Sequence, residues 1–250
     1  MAKPLSLQPY TLRKILGESD PYPILEKVAK IGYHAVEGKV GKDSPTEFRR
    51  RLTDMGLKVS SYFGGFPTFD TVNEFIDTAL ALGVEHTVSG FWIPDVESVD
   101  AIKRSAEKVN TVLPAIQEAG LTFSLHNHWM EFWTVEGRLV LEQLLELAPG
   151  VGAELDIYWA SNFGEHKSEE MVSKFKDHIH LMHVKDGPLV EGQPMLPAGS
   201  GKVDVPACIH AADPNVLDWL IVEFDEYDGD ILEGIAASRT YLVEQGLALA

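Results

Sequence analysis

Eight short apolar runs alternate along the chain with amphipathic segments that carry helix start and stop signals. Runs of this kind predict strands, and their regular alternation with helices predicts parallel β-α units. The predicted strands lie at 5–10, 35–38, 58–64, 86–92, 122–126, 153–158, 180–184 and 220–224. Eight such units in 250 residues indicate a single α/β domain spanning 1–250, folded as a (β/α)8 barrel.

The helix signals support this order. Ser44 precedes PTEFRRRLTDMG, with Pro45 at the first helical position and Glu47 completing a capping box, and Asp20 precedes PYPILEKVAKIG. Similar patterns predict helices at 72–82, 99–119, 139–147, 169–175 and 231–245, with a weaker one at 203–213. The Gly- and Pro-rich stretch 187–202 is expected to form a long loop over the mouth of the barrel. An open doubly wound sheet is the alternative, but no Gly-rich turn follows the first strand.

Charge and cysteine content exclude several classes of partner. The formal net charge of −17 disfavours nucleic acid, because such binding depends on Lys and Arg. Cys208 is the only cysteine, which excludes an intrachain disulfide and thiolate zinc sites and fits a reducing cytoplasm. The N-terminus lacks a secretory pattern, and no stretch approaches the roughly 20 apolar residues of a membrane span. We therefore expect a cytoplasmic protein without nucleic-acid or membrane partners, and a homo-oligomer stays open.

Four of the predicted strands end in residue types that commonly bind metals. An α/β barrel directs the carboxyl ends of its strands to one mouth, so these residues are expected to converge. Imidazole and carboxylate are usual ligands of divalent metals, and a buried carboxylate costs several kcal/mol unless it is paired with a cation. A structural ion pair, such as Asp156 with Lys185, is the alternative at each position. The candidates are His126, His128, Glu131, Asp156, His183 and Glu223.

Further candidates lie at other strand ends. Glu37 follows the second strand and could contact a substrate hydroxyl or hold a loop. Aromatic residues near the mouth suit a sugar, so Tyr10, Trp92 and Trp159 are expected substrate contacts, with packing of the rim as the alternative. His180 lies three residues before His183, which predicts that it faces the helices and is not a ligand.

The chain resembles the sugar phosphate isomerase/epimerase family of the xylose-isomerase-like TIM barrels. This superfamily also includes inosose dehydratase, 3-dehydroshikimate dehydratase and endonuclease IV. The segments that carry the resemblance run nearly from end to end, and they are SLQPYTLR, GYHAVEG, HNHWMEF, ELDIYW, HVKD, GSGKVDVPACI and VEFDEYDGD.

The resemblance implies one divalent metal ion, Mn²⁺, Mg²⁺, Co²⁺ or Zn²⁺, held by a Glu, Asp, His, Glu set from strands five to eight. Asp156, His183 and Glu223 match the last three places. The strand-five position that is often Glu reads His126 here, so Glu131 is the preferred first ligand. His126 is kept as the alternative ligand or as a substrate contact.

The resemblance also implies roles in catalysis. Lys185 and His128 resemble positions that transfer protons or stabilise an oxyanion in the related dehydratases. Metal-bound carboxylates often form the acid and base pair in ketose epimerases, and here those would be Glu131 and Glu223. A ketose that chelates the ion through its carbonyl and a neighbouring hydroxyl would form a stabilised enediolate on losing a proton.

The expected function is a metal-dependent isomerase or epimerase that acts on a small carbohydrate, either a sugar or a keto-sugar. A dehydratase or lyase that eliminates a β-leaving group from a keto-sugar or keto-inositol is the alternative. A non-catalytic sugar-binding barrel and an endonuclease IV-like phosphodiesterase are less favoured, the latter because it needs a basic groove.

Overall fold

Nine parallel strands form the frame of the computed structural model, which describes residues 2–17 and 20–250. Numbered in chain order with a small hairpin included, the strands are β1 (Leu5–Leu7), β2 (Ala35–Val36), β3 (Lys58–Val59), β4 (Tyr62–Phe63), β5 (His86–Gly90), β6 (Thr122–His126), β7 (Thr134–Val135), β8 (Arg138–Leu139), β9 (Gly152–Asp156), β10 (Ile179–Val184) and β11 (Trp219–Val222). The antiparallel pair β7–β8 stands apart from the main sheet.

The sheet closes on itself through one segment of chain. Its strand order is β3-β2-β1-β11-β10-β9-β6-β5-β4, so its two ends are consecutive in sequence. The Ser60 amide donates to the Val36 carbonyl (3.0 Å), while the Gly64 amide donates to the Val88 carbonyl (3.0 Å). The segment 58–63 therefore bonds to β2 first and to β5 afterwards, which splits the predicted strand 58–64 in two. The predicted α/β barrel is confirmed, with this strand divided.

Nine α-helices are present in the described residues. They are α1 (Tyr22–Ile31), α2 (Pro45–Asp54), α3 (Val72–Leu82), α4 (Ile93–Val96), α5 (Val99–Glu118), α6 (Val140–Leu147), α7 (Ser168–Phe175), α8 (Val205–Ala211) and α9 (Ile231–Glu244). The predicted capping of α2 is observed, because the Glu47 amide donates to the Ser44 hydroxyl (3.3 Å). The short helix α4 and the β7–β8 hairpin were not predicted. None of the described helices is long and apolar enough to cross a membrane.

The interior of the barrel is layered. Val88 of β5, Leu181 of β10 and Ile221 of β11 are fully buried against one another and form an apolar layer across the barrel. Strand periodicity places His183 and Glu223 on one side of this layer and His86 on the other. The layer therefore separates the mouth, at the carboxyl ends of the strands, from the floor at their amino ends.

His180 lies inside the barrel at this floor, contrary to the expectation that it faces the helices. The pairing of β9 with β10 shifts register between Ile179 and Leu181, and a bulge breaks the simple alternation of side chains. The His180 ring lies 5.9 Å from the His86 ring of β5. Since β6 and β9 separate β5 from β10 in the sheet, the two rings meet across the interior.

The predicted loop 187–202 is held by the carboxylate of Asp186. The carboxylate accepts hydrogen bonds from the amides of Gly187 (2.7 Å), Gly199 (3.0 Å), Gly201 (2.9 Å) and Val203 (3.1 Å). A buried carboxylate satisfied by four backbone donors fixes both ends of the loop, because leaving any of these groups unpaired would cost free energy.

Replacing Gly201 by alanine should destabilise this loop. A Cβ at position 201 would lie 2.1 Å from Asp186 Oδ1 and 2.3 Å from the backbone nitrogen of Gly187. We expect Gly201→Ala to lower the free energy of unfolding by about 1–3 kcal/mol, measured by urea denaturation. Gly65→Ala is the matched control, because a Cβ there meets nothing within 4 Å. Equal stability of the two variants would contradict the anchoring role of Asp186.

Candidate active site

Residues from four strands converge at the mouth of the barrel. His126 ends β6, Asp156 ends β9, His183 lies near the end of β10, and Glu223 follows β11. One ligand atom from each of these four buried residues lies within 4.8 Å of the others. Parallel pairing accounts for this arrangement, since His183 is in register with Asp156 on one side and with Ile221 on the other.

His183 is the centre of a network of carboxylates. Its Nδ1 lies 2.8 Å from Glu223 Oε2, and its Nε2 lies 2.8 Å from Glu37 Oε2 and 3.2 Å from Glu154 Oε2. Burial opposes the charge on the ring, but Glu154 and Glu37 outweigh it and raise the pKa of His183 well above its usual value. Gln8 donates to Glu37 from the other side (2.7 Å).

Lys185 provides a second buried cation. Its Nζ lies 2.9 Å from Asp156 Oδ2, 2.8 Å from Glu223 Oε2 and 2.9 Å from Asp225 Oδ2. Lys185 donates a hydrogen bond to Asp225, whereas Asp156 Oδ2 lies at an ion-pair distance and has no hydrogen-bond partner in the described residues. Burial opposes the ammonium charge, but the three carboxylates raise the pKa of Lys185 well above its usual value, so it stays protonated.

Carboxyl groups outnumber the buried cations at the mouth. Five carboxyl groups surround His183 and Lys185, and burial of this excess negative charge is costly unless protons or another cation compensate it. The pKa values reflect this cost. Burial raises the pKa of Asp156 to about 6, and burial with the neighbouring Glu37 raises that of Glu154 well above its usual value. Glu223 shows the opposite shift, because Lys185 and His183 outweigh burial and hold its pKa at about 2.

The donor set fits a divalent metal ion. Within the described residues, Glu154 Oε1 has no hydrogen-bond partner and the protein supplies too little positive charge for its carboxylates. Burial and the nearby cations lower the pKa of His126 well below its usual value, which keeps this imidazole neutral as a ligand must be. Two imidazoles and two carboxylates suit a borderline or hard ion. His126, Asp156, His183 and Glu223 would hold it.

Glu131 lies outside this group, although it was the preferred first ligand. Its Oε2 accepts a hydrogen bond from the backbone amide of His128 (2.8 Å) within the turn that follows β6. The side chain is buried, and burial raises the pKa of Glu131 to about 8. Geometry thus brings the alternative, His126, into the ligand group.

A cavity of about 750 Å³ opens above the ligand group. The expected substrate contacts Tyr10, Glu37, Trp92, His126 and Trp159 all line it, as do His128 and Lys185. The His128 ring stacks on Trp92 at 4.8 Å, and burial lowers the pKa of His128 to about 4. Its Nδ1 has no hydrogen-bond partner among the described residues. Aromatic walls and a polar floor are typical of a carbohydrate site.

Glu154 is the residue of the site that sequence reasoning missed. It is fully buried, shares a hydrogen bond with His126 (2.9 Å) and lies at an ion-pair distance from His183 (3.2 Å). The signal was present in GAELD, because Glu154 precedes Asp156 by two positions and must share its face of the strand.

Comparison with known proteins places the chain among barrels of this type. The sequence profile described as xylose isomerase-like TIM barrel matches residues 25–245. No curated protein sequence matches the chain. A sugar phosphate isomerase/epimerase from Parabacteroides distasonis is 25% identical, with a TM-score of 0.81 over 97% of this chain and 94% of that one.

Two more distant structures share the fold. The IOLI protein, whose structure has a binding zinc atom, is 17% identical, with a TM-score of 0.76 over 96% of this chain and 97% of that one. The probable 3-DHS dehydratase AsbF from Bacillus anthracis is 11% identical, with a TM-score of 0.75 over 96% of this chain and 98% of that one.

Glu131 should make the stability of the metal-free protein depend on pH. Its pKa of about 8 exceeds the ordinary value of 4.5, so between these pH values the folded chain keeps a proton that the unfolded chain releases. Its contribution to stability is complete below pH 4.5 and is lost as the pH rises towards 8, by up to about 1.4 kcal/mol per pH unit. Urea unfolding of Glu131→Gln should lack this slope. The exposed Glu118→Gln is the control, and a Glu131→Gln slope equal to wild type would refute the assignment.

Lys185 should compete with a metal ion for the same carboxylates. Lys185→Met leaves Asp156 and Glu223 without their ammonium partner, so the chelator-treated variant should lose about 3–5 kcal/mol of stability. Added Zn²⁺ should bind this variant at least as tightly as wild type and should restore more of the melting temperature. Lys108→Met, at an exposed ion pair with Asp95, is the control. Weaker zinc binding by Lys185→Met would show that Lys185 does not compete.

Proposed function

Because the chain belongs to the xylose isomerase-like TIM barrel family, we propose that it is a divalent-metal-dependent isomerase or epimerase of a sugar or keto-sugar. The observation that carries the proposal is the buried group of His126, Asp156, His183 and Glu223, in which carboxylates exceed cations. Three of the four line the aromatic cavity or its floor, so a bound small molecule would meet them directly. The similarity to the Parabacteroides isomerase/epimerase supports the same class.

A bound divalent cation would stabilise the negative charge that develops on the oxygens of a keto-sugar when the proton beside the carbonyl is removed. The protein supplies the rest. Lys185 stays protonated at the cavity floor, so it stabilises charge on a substrate oxygen and does not carry the proton. Its Nζ lies within 2.9 Å of both Asp156 and Glu223, which supports a role for this charge next to the carboxylates that would hold the ion.

Proton transfer is assigned to groups that face the cavity. Glu223 lines the cavity as a carboxylate, the form that can accept a proton. The neutral ring of His128 offers a second site, because its Nδ1 has no hydrogen-bond partner in the described residues. Glu131 does not line the cavity, and it instead fixes the backbone of His128. We therefore regard Glu131 as a positioning residue and His128 as the partner of Glu223.

β-Elimination is the second candidate reaction. The observation in its favour is the permanent ammonium of Lys185 beside the His128 ring in one cavity, since these groups could stabilise the enolate and assist a departing hydroxyl. Both reactions begin with the same proton removal, so one experiment can separate them.

Proton NMR in D₂O of metal-loaded protein with free and phosphorylated ketoses and a keto-inositol tests the proposal. An isomerase or epimerase should incorporate deuterium at the carbon beside the carbonyl and give an isomeric product. A dehydratase should give an unsaturated product. His183→Gln should abolish exchange, and the exposed His210→Gln should retain it. Turnover without deuterium incorporation or a primary isotope effect would overturn the enediolate route.

A further inference from the structure

We infer that the floor of the barrel holds a second divalent-metal site, built from His86, His180 and Asp218 and suited to a zinc-like ion. One ligand atom from each of these residues lies within 4.8 Å of the others. The site lies at the amino ends of the strands, on the far side of the apolar layer from the mouth. It is independent of the proposed function.

The three ligands come from three different strand starts. His86 begins β5, His180 enters the interior at the bulge in β10, and Asp218 immediately precedes β11. His86 Nε2 already lies 3.1 Å from Asp218 Oδ2, close to the roughly 3.3 Å between donor atoms of a tetrahedral zinc site with ligand distances of about 2.0–2.1 Å. His180 is half-buried and can close the remaining gap.

The surroundings of both rings favour metal binding. His86 Nδ1 shares a hydrogen bond with Thr122 Oγ1 (2.9 Å), which directs Nε2 towards Asp218. A hydrogen bond to the backbone at Val216 similarly orients His180. Such outer contacts are typical of metal-binding histidines.

Two further observations point to a ligand at this place. Gly152 of β9 has no side chain, and a Cβ there would lie 2.4 Å from His180 Cδ2 and 2.7 Å from Ser124 Oγ. This glycine therefore makes room for the His180 ring. Ser124 is fully buried, and its Oγ has no hydrogen-bond partner in the described residues. A metal-bound water beside His180 would give this hydroxyl a partner.

The ligand types indicate which ions fit. Two imidazoles and one carboxylate favour zinc, cobalt or nickel over magnesium or calcium, which prefer oxygen. With the fourth position open to water and Asp218 half-exposed, the ion can exchange with solvent. An ion bound here would tie β5, β10 and the start of β11 together, so its effect would be on stability.

Zinc stoichiometry measures this site directly. The whole chain is stripped with chelator, dialysed against Zn²⁺, and analysed by elemental mass spectrometry. Wild type should bind two ions, while His180→Gln and Asp218→Asn should each bind one. Asp218→Asn provides a variant at a half-exposed position that should fold normally, and the exposed His210→Gln should still bind two.

Variants that lack the mouth site distinguish it from the site at the floor. His183→Gln should retain one ion, and added Zn²⁺ should raise its melting temperature. The double variant His183→Gln/His180→Gln should bind none and show no such rise. If the mouth held no metal, wild type would bind one ion and lose it on His180→Gln alone. Unchanged zinc content in both His180→Gln and Asp218→Asn would overturn the floor site.

Discussion

The mouth of this barrel is governed by an excess of buried negative charge. In the part of the chain that the structure describes, the buried Glu37, Glu154, Asp156 and Glu223 and the partly exposed Asp225 lie around two buried cations, His183 and Lys185. Coulomb attraction is strong in such a setting, but the cost of removing each carboxylate from water is also high. The shifted pKa values, the central place of His183 and the fit to a divalent ion all follow from this imbalance.

The barrel makes that concentration of charge possible. Parallel strands direct their carboxyl ends to one place. The outer helices bury apolar surface against the sheet, and this burial offsets the cost of keeping polar groups inside the barrel. The apolar layer of Val88, Leu181 and Ile221 then insulates the mouth from the floor. Two groups of histidine and carboxylate can therefore occupy one barrel without sharing ligands.

The sequence predicted the features that depend on periodicity and chain order. The eight β-α units were evident, as was the convergence of Asp156, His183 and Glu223, because strand ends in a barrel must meet. Three features depended on local backbone geometry that the periodicity of the sequence does not reveal. The strand 58–64 divides where it changes partners, a bulge turns His180 inward, and a short turn carries Glu131 away from the ligand group.

Glu154 shows a different kind of limit. It alternates correctly with Asp156, yet a charged residue in mid-strand is ordinarily expected at an exposed or paired position. Its burial became understandable only with His126 and His183 beside it, and these contacts span 28 and 29 residues of chain. Predicting the site fully thus required knowing which distant residues share the interior.

Asp186 has a consequence for where this chain can tolerate insertions. It follows Lys185 directly, so neighbouring residues contact the buried carboxylates of the mouth and the backbone of the 187–202 loop. Asp186 fastens the loop at Gly187 and again at Gly199, Gly201 and Val203, while the buried Met195 between them donates its amide to the Glu226 carbonyl. Changes in length should therefore be tolerated best at the exposed residues 190–193, where an insertion would leave each of these anchors in place.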